Sequence, residues 1–123
     1  VNDLSYQELA VIEPLAIGAH AIRRANLQTG ETIVVIGCGP IGLGIMKLAQ
    51  IRGAKVIALD VVPNRLAFAK TQLGVDHTVN VLENPIEQVL EITNGDLATV
   101  VFDASGNKRA IESGHEFMAH CGH

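Results

Sequence analysis

The segment Thr32-Ile33-Val34-Val35-Ile36-Gly37-Cys38-Gly39-Pro40-Ile41-Gly42 constrains this chain more than any other. Ile33 to Ile36 is a β-branched apolar run of the kind that forms a buried strand. It ends in Gly37-x-Gly39-x-x-Gly42, and a helix-compatible run, Ile41 to Arg52, follows at once. Strand, glycine turn and helix are the setting in which this spacing cradles a dinucleotide. Gly37 makes the tight turn, Gly39 lets a pyrophosphate approach the backbone, and Gly42 lets helix and strand pack closely. The free N–H groups of the helix start face the anion. Pro40 sits near the first helical position, where its missing N–H costs nothing.

A GxGxxG alone is weak evidence. Here a second strand, Lys55 to Leu59, ends in Asp60, about 20 residues after the first glycine, where a dinucleotide site needs an acid. A carboxylate there accepts hydrogen bonds from both hydroxyls of an adenosine ribose and repels a 2′-phosphate. The cofactor expected is therefore NAD rather than NADP. The competing reading of Asp60 is a solvated strand end.

Composition removes other classes. A chain of 123 residues holds one domain with a modest core. Its 48% hydrophobic content suits a sheet covered on both faces. The net charge is −4 and the pI about 5.6, with no basic patch for nucleic acid. No apolar run is long enough to span a membrane. The two cysteines, Cys38 and Cys121, make no disulfide framework, and a reducing, cytoplasmic setting is expected.

Ser5-x-x-Glu8 is a capping box opening a helix from Tyr6 to Ile12, which Pro14 is expected to interrupt. A second helix is expected from Leu15 to Ala25. Beyond the glycine turn, Ile41, Ile45, Leu48 and Ala49 form a helical stripe closed by Gly53. Pro63 opens a helix that turns Leu66, Ala67 and Leu73 inward and ends at Gly74. His77 to Asn80 is a third strand. Asn84-Pro85 reads as an N-cap and first helical residue, with the helix ending at Asn94-Gly95. Thr99 to Phe102 is a fourth strand, leading into Asp103-Ala104-Ser105-Gly106. Asn107 caps a last helix, expected to run from Lys108 to about His120.

The pattern is β-α-β-α-β-α-β-α behind a helical lead-in. It predicts an α/β fold, a Rossmann-type doubly wound parallel sheet with strand order 3-2-1-4. A complete dinucleotide fold has further strands, so the sheet is expected to be incomplete, cut before its fifth strand, with strand four left as a bare edge. Residues 1–29 are read as an entry segment and 30–123 as the dinucleotide-binding domain.

Three segments resemble the medium-chain, zinc-type alcohol dehydrogenases, and within them the polyol, threonine and sugar-acid branch. They are Glu13-Pro14-Leu15-Ala16-Ile17-Gly18-Ala19-His20-Ala21, similar to the family's EPLxxGxHA entry helix; Gly37-Cys38-Gly39-Pro40-Ile41-Gly42-Leu43, similar to its GxGPIGL loop; and Phe102-Asp103-Ala104-Ser105-Gly106, similar to its strand-four tip. Arg65 also fits the family's DxxxxR after Asp60. The resemblance implies hydride transfer between NAD and a secondary alcohol of a polyol or sugar acid. It implies a catalytic zinc acting as a Lewis acid, held mostly by a separate domain N-terminal to this stretch. It places Gly37, Gly39, Pro40, Ile41, Gly42, Asp60, Val61, Arg65, Ser105 and Gly106 at the cofactor and Glu13 beside the metal. It implies a homo-oligomeric whole protein, and a chain that by itself binds NAD at best.

Several residues carry two readings. Glu13 is a neighbour of the metal or an exposed acid before a helix. Arg65 lies over adenine, pairs with Asp60, or is solvated. Ser105 and Gly106 approach the cofactor ribose or form a simple turn. Cys38 is a reactive thiol at a helix start or a small residue filling a tight loop. His20 relays protons or packs at the domain junction. Gly114-His115-Glu116 matches the letters of the family's GHE metal motif at the wrong place in the chain, which makes His115 an ordinary helix residue; His115, His120, Cys121 and His123 could still bind metal adventitiously. The rival classes are a non-catalytic NAD-sensing module, a methyltransferase and a zinc-free quinone reductase. The methyltransferase loop reads GxGxG and the reductase loop AxxGxxG, and neither matches residues 37–42.

Overall fold

The computed structural model describes residues 3–123. Four parallel strands form its sheet: β1 (Thr32–Ile36), β2 (Lys55–Asp60), β3 (His77–Asn80) and β4 (Val100–Asp103). Their order is β3-β2-β1-β4, the order the alternating pattern predicts. β1 lies between β2 and β4, with Ile33 opposite both Val56 and Val100. Alternate residues point to opposite faces, and both faces are apolar. Ile33, Val35, Val56, Ala58, Val100 and Phe102 join one buried cluster, and Val34, Ile36, Ile57, Leu59 and Val79 the other. A strand buried on both sides needs no polar alternation, which is why β1 is an unbroken apolar run.

Six helices cover the faces: α1 (Tyr6–Ala10), α2 (Ile12–Arg24), α3 (Pro40–Ile51), α4 (Pro63–Phe68), α5 (Pro85–Ile92) and α6 (Lys108–Ser113). The Ser5–Glu8 capping box forms as expected. Pro14 does not break the helix where expected. α2 begins at Ile12, which puts Pro14 in its first turn, where the absent N–H has no carbonyl to meet. α4 continues into a π-helical turn, Ala69–Leu73, ended by Gly74 in the left-handed region. Ala69 is buried and Ala67 exposed, reversing the inward role expected for Ala67. Asn84 precedes α5 as expected, but it is left-handed with φ 47° and its side chain makes no capping bond.

α2 packs across α3 through two glycines. A Cβ on Gly18 would lie 3.1 Å from the Ile45 nitrogen, and one on Gly44 would lie 3.5 Å from the Pro14 oxygen. Ile22 and Leu27 are buried in the same cluster as β1 and α3.

The last helix is shorter than its pattern predicts. α6 stops at Ser113, a 3₁₀ turn follows over Gly114–Phe117, Met118 is extended beside the start of β4, and a turn with Cys121 left-handed then leads to His123. Ala98 and Met118 form a parallel bridge. Farther on, the His123 N–H donates to the Thr99 carbonyl at 3.0 Å, and the His123 carbonyl accepts from the Val101 N–H at 2.8 Å. The bare edge expected at β4 is therefore partly covered by the chain's own last residues.

Candidate functional site

The four strands end on one side of the sheet, and a cleft of about 730 Å³ opens there. Its floor is the turn between β1 and α3. Gly37 has φ 100°, and its N–H donates to the Leu59 carbonyl at 2.7 Å. A Cβ on Gly37 would sit 2.9 Å from Ala104 and Ser105 backbone atoms, so this turn also touches the tip of β4. On Gly42 a Cβ would collide with the Gly37 oxygen at 1.8 Å. Around Gly39 nothing lies within 4 Å of that position. Two of the glycines thus close the turn on itself, and the middle one leaves bare backbone open to the cleft. Pro40 starts α3 with Gly39 as its N-cap. The first N–H groups of α3 have no carbonyl within the helix and point toward the strand ends.

Asp60 is the second wall. It is 6% exposed and is the one buried charged side chain among the described residues. Cys38 N–H donates to its Oδ2 at 2.7 Å, and Val62 N–H donates to its Oδ1 at 2.9 Å. The carboxylate therefore ties the glycine turn to the start of α4. Each oxygen keeps a lone pair for another donor. Cys38 is buried at 3% exposure, and its thiol is pushed up to about 12, first by burial and then by the nearby Asp60 charge, with Arg65 opposing. A thiol held protonated in the core is a packing residue, which removes the reactive-thiol reading.

The third wall is the tip of β4. Asp103 accepts from Ser105 N–H at 2.8 Å and from Ser105 Oγ at 2.7 Å. Ser105 Oγ in turn accepts from Asn107 N–H, and Asn107 Oδ1 caps α6 through Arg109 N–H at 2.9 Å. Asp103, which sequence left without a role, thus holds the turn, and Gly106 has φ 64° within it.

The structure brings Gly37, Gly39, Pro40, Asp60, Val61, Arg65 and Ser105 onto this one cleft. Ile41, Gly42 and Gly106 do not line it; Gly42 acts through its contact with Gly37. Glu13 lies away from it, exposed in the first turn of α2. Arg65 is exposed and forms no ion pair with Asp60 among the described residues. His20 is exposed on this chain, with Arg23 Nη2 3.4 Å from its Nδ1. Sequence reading missed two groups of wall residues: Val81, Leu82 and Ile86 beyond β3, and Arg109, Ser113 and Glu116 from the last helical segment. The signal for the first was available, because residues just past the carboxyl end of any strand in such a sheet face the crevice.

Among the described residues, no group of three or more His, Cys, Asp or Glu side chains converges as a metal site. His115, in the 3₁₀ turn, and His120, Cys121 and His123 do not assemble into one, contrary to the adventitious site considered for them. These residues do not form a zinc centre. Among them, too, no helix is long and apolar enough to cross a membrane.

Fold and cleft together define a Rossmann-like α/β protein. Residues 40–123 match the zinc-binding dehydrogenase family model. The chain is 40% identical to sorbitol dehydrogenase from Bacillus subtilis over 91% of its own length and 32% of that protein's. It is 39% identical to L-galactonate-5-dehydrogenase from Escherichia coli, over 94% of this chain and 34% of that one. A solved Escherichia coli oxidoreductase of unknown specificity superposes with a TM-score of 0.91 at 28% identity, covering 99% of this chain and 35% of that one. The chain belongs to the zinc-binding dehydrogenase family, and it spans about a third of the length of these relatives.

Proposed function

We propose that this chain is the coenzyme-binding part of an NAD-dependent, zinc-type dehydrogenase that oxidises a secondary alcohol of a polyol or sugar acid. The observation that carries this reading is the convergence of the glycine turn, Asp60 and Ser105 on one cleft. The open backbone at Gly39 and the N-terminus of α3 suit a diphosphate. Asp60, fixed by two backbone N–H groups, presents its remaining lone pairs where a ribose diol can donate to them. Its charge disfavours a 2′-phosphate at the same place. Val61 and Leu82 supply apolar walls for a base, and Ser105 stands on the opposite side. NAD bound there supplies a hydride acceptor. This chain's own part is to bind and orient that cofactor.

Substrate class is argued from the relatives, whose names include sorbitol and L-galactonate dehydrogenases. Residues 1–29 are proposed as the entry segment from a catalytic part and 30–123 as the coenzyme domain, with Glu13 facing the metal-bearing side. The test is calorimetric titration of the folded chain with NAD and with NADP. NAD should bind at least about tenfold more tightly, a difference of about 1.4 kcal/mol. A folded chain that binds neither, or that prefers NADP, overturns the reading.

A further inference from the structure

Arg109 stands in an unexplained position. It lies in the first turn of α6, which contains no acidic residue to offset a cation. A positive charge there is opposed by the helix dipole. Its neighbour Lys108 pairs with Glu112, but Arg109 makes no ion pair and its guanidinium no hydrogen bond among the described residues. Arg109, exposed to solvent, is nonetheless one of the residues lining the cleft shared with Gly37 and Gly39. The segment that carries it is anchored close to the glycine turn, since the missing Cβ of Gly37 would meet Ala104 and Ser105 backbone at 2.9 Å. From Ser105, the Oγ bond to Asn107 N–H and the Asn107 cap on Arg109 N–H pass that anchoring directly to Arg109.

We infer that Arg109 is a cofactor-binding residue that holds the phosphate-bearing part of the dinucleotide from the β4 side of the cleft. This rests on the coenzyme reading proposed above. The glycine turn offers only neutral N–H donors, and Asp60 brings a negative charge into the same cleft. A phosphate dianion or diphosphate is therefore favoured by a cation on each side: Arg65 lies with Asp60 on the β2 side, and Arg109 is the arginine lining the β4 side, where Glu116 adds a further negative charge to offset. A guanidinium meets phosphate through two parallel N–H bonds, and the unpaired Arg109 has all of its donors available for this.

The experiment titrates the folded wild-type chain, Arg109→Ala and Arg109→Lys with adenosine, AMP, ADP and NAD. The expected result is a loss of about tenfold or more in affinity for AMP, ADP and NAD in Arg109→Ala, no change for adenosine, partial recovery in Arg109→Lys, and a weaker salt dependence in Arg109→Ala. Equal losses for adenosine and the phosphorylated ligands would overturn the assignment in favour of contact with the base. Unchanged affinities would overturn it outright. Failure of the wild type to bind NAD and ADP would instead strike the coenzyme reading on which it stands.

Discussion

The two ends of the sheet are built from the same four strands and differ in what they offer a ligand. At the carboxyl end lies the cleft of about 730 Å³, floored by backbone N–H groups at Gly39 and the start of α3. At the amino end lies a cavity of about 260 Å³, lined by Thr32, Lys55, His77, Thr93 and Asp96 among others. There the last turn of α5 contributes carbonyl groups, which repel an anion. A parallel sheet with crossover helices is polar by construction. Every helix that follows a strand starts at the carboxyl end, so only that end gathers positive helix termini. Glycines sharpen the contrast, because they strip side chains from the turn where a phosphate must come close.

Substitutions at the two ends should separate these effects. The largest is expected at Gly42→Ala, whose new Cβ would overlap the Gly37 oxygen at 1.8 Å. Backbone cannot yield there as a flexible side chain would, so a stability loss of about 3 kcal/mol or more is expected in urea denaturation. Asp60→Ala comes next. It leaves the Cys38 and Val62 N–H groups without their acceptor and should cost about 2 kcal/mol. At the opposite end Asp76 accepts a single bond, from Val56 N–H at 2.8 Å. Asp76→Ala should cost about 1 kcal/mol and leave NAD affinity unchanged, whereas Asp60→Ala should weaken NAD binding as well. Equal effects of the two on NAD would erase the distinction between the ends.

Gly39→Ala should divide folding from binding. Its φ is −81° and the space around it is open, so stability should change by less than about 0.5 kcal/mol. Coenzyme affinity should nonetheless fall by about tenfold, because the methyl group takes the place of an approaching phosphate. The smallest effect at neutral pH concerns Cys38. Its thiol is raised from 9.0 to about 12 by burial and by Asp60, so the folded state holds the proton more tightly than the unfolded one. The stability this contributes is fully present below pH 9 and is lost as pH rises toward 12. Urea midpoints of the wild type should fall through that window more than those of Cys38→Ala. Iodoacetamide at pH 8 should label the exposed Cys121 and spare Cys38 until the chain unfolds.

Where sequence reading succeeded, the information was local. β1, the glycine turn and α3 are adjacent in the chain, and each glycine's role follows from turn geometry that three residues determine. The strand order follows from alternation and handedness. Its failures lie where distant residues decide. Gly114 and the residues after it continue a helical pattern, but Ala98, Thr99 and Val101 offer unpaired backbone groups along β4. Pairing with those groups wins over one more helical turn, and no local signal reports it. Pro14 misled because proline disfavours the helix interior yet suits a first turn, and the helix start one residue after Val11 was not marked by a side-chain cap. At the site, Asp60 was found from its position after β2. Its two bonds to Cys38 and Val62 were not, because they depend on how the glycine turn folds back toward β2.

The most direct test of the account is to follow backbone amide shifts of the isotopically labelled chain during titration with NAD. The predicted result is a set of perturbations at Gly37, Cys38, Gly39, Val61, Val62 and Ser105, with Thr32, His77 and Asp96 at the other end unmoved. Perturbations centred on Thr32, His77 and Asp96, or none at the glycine turn in a folded chain at saturating NAD, would contradict it.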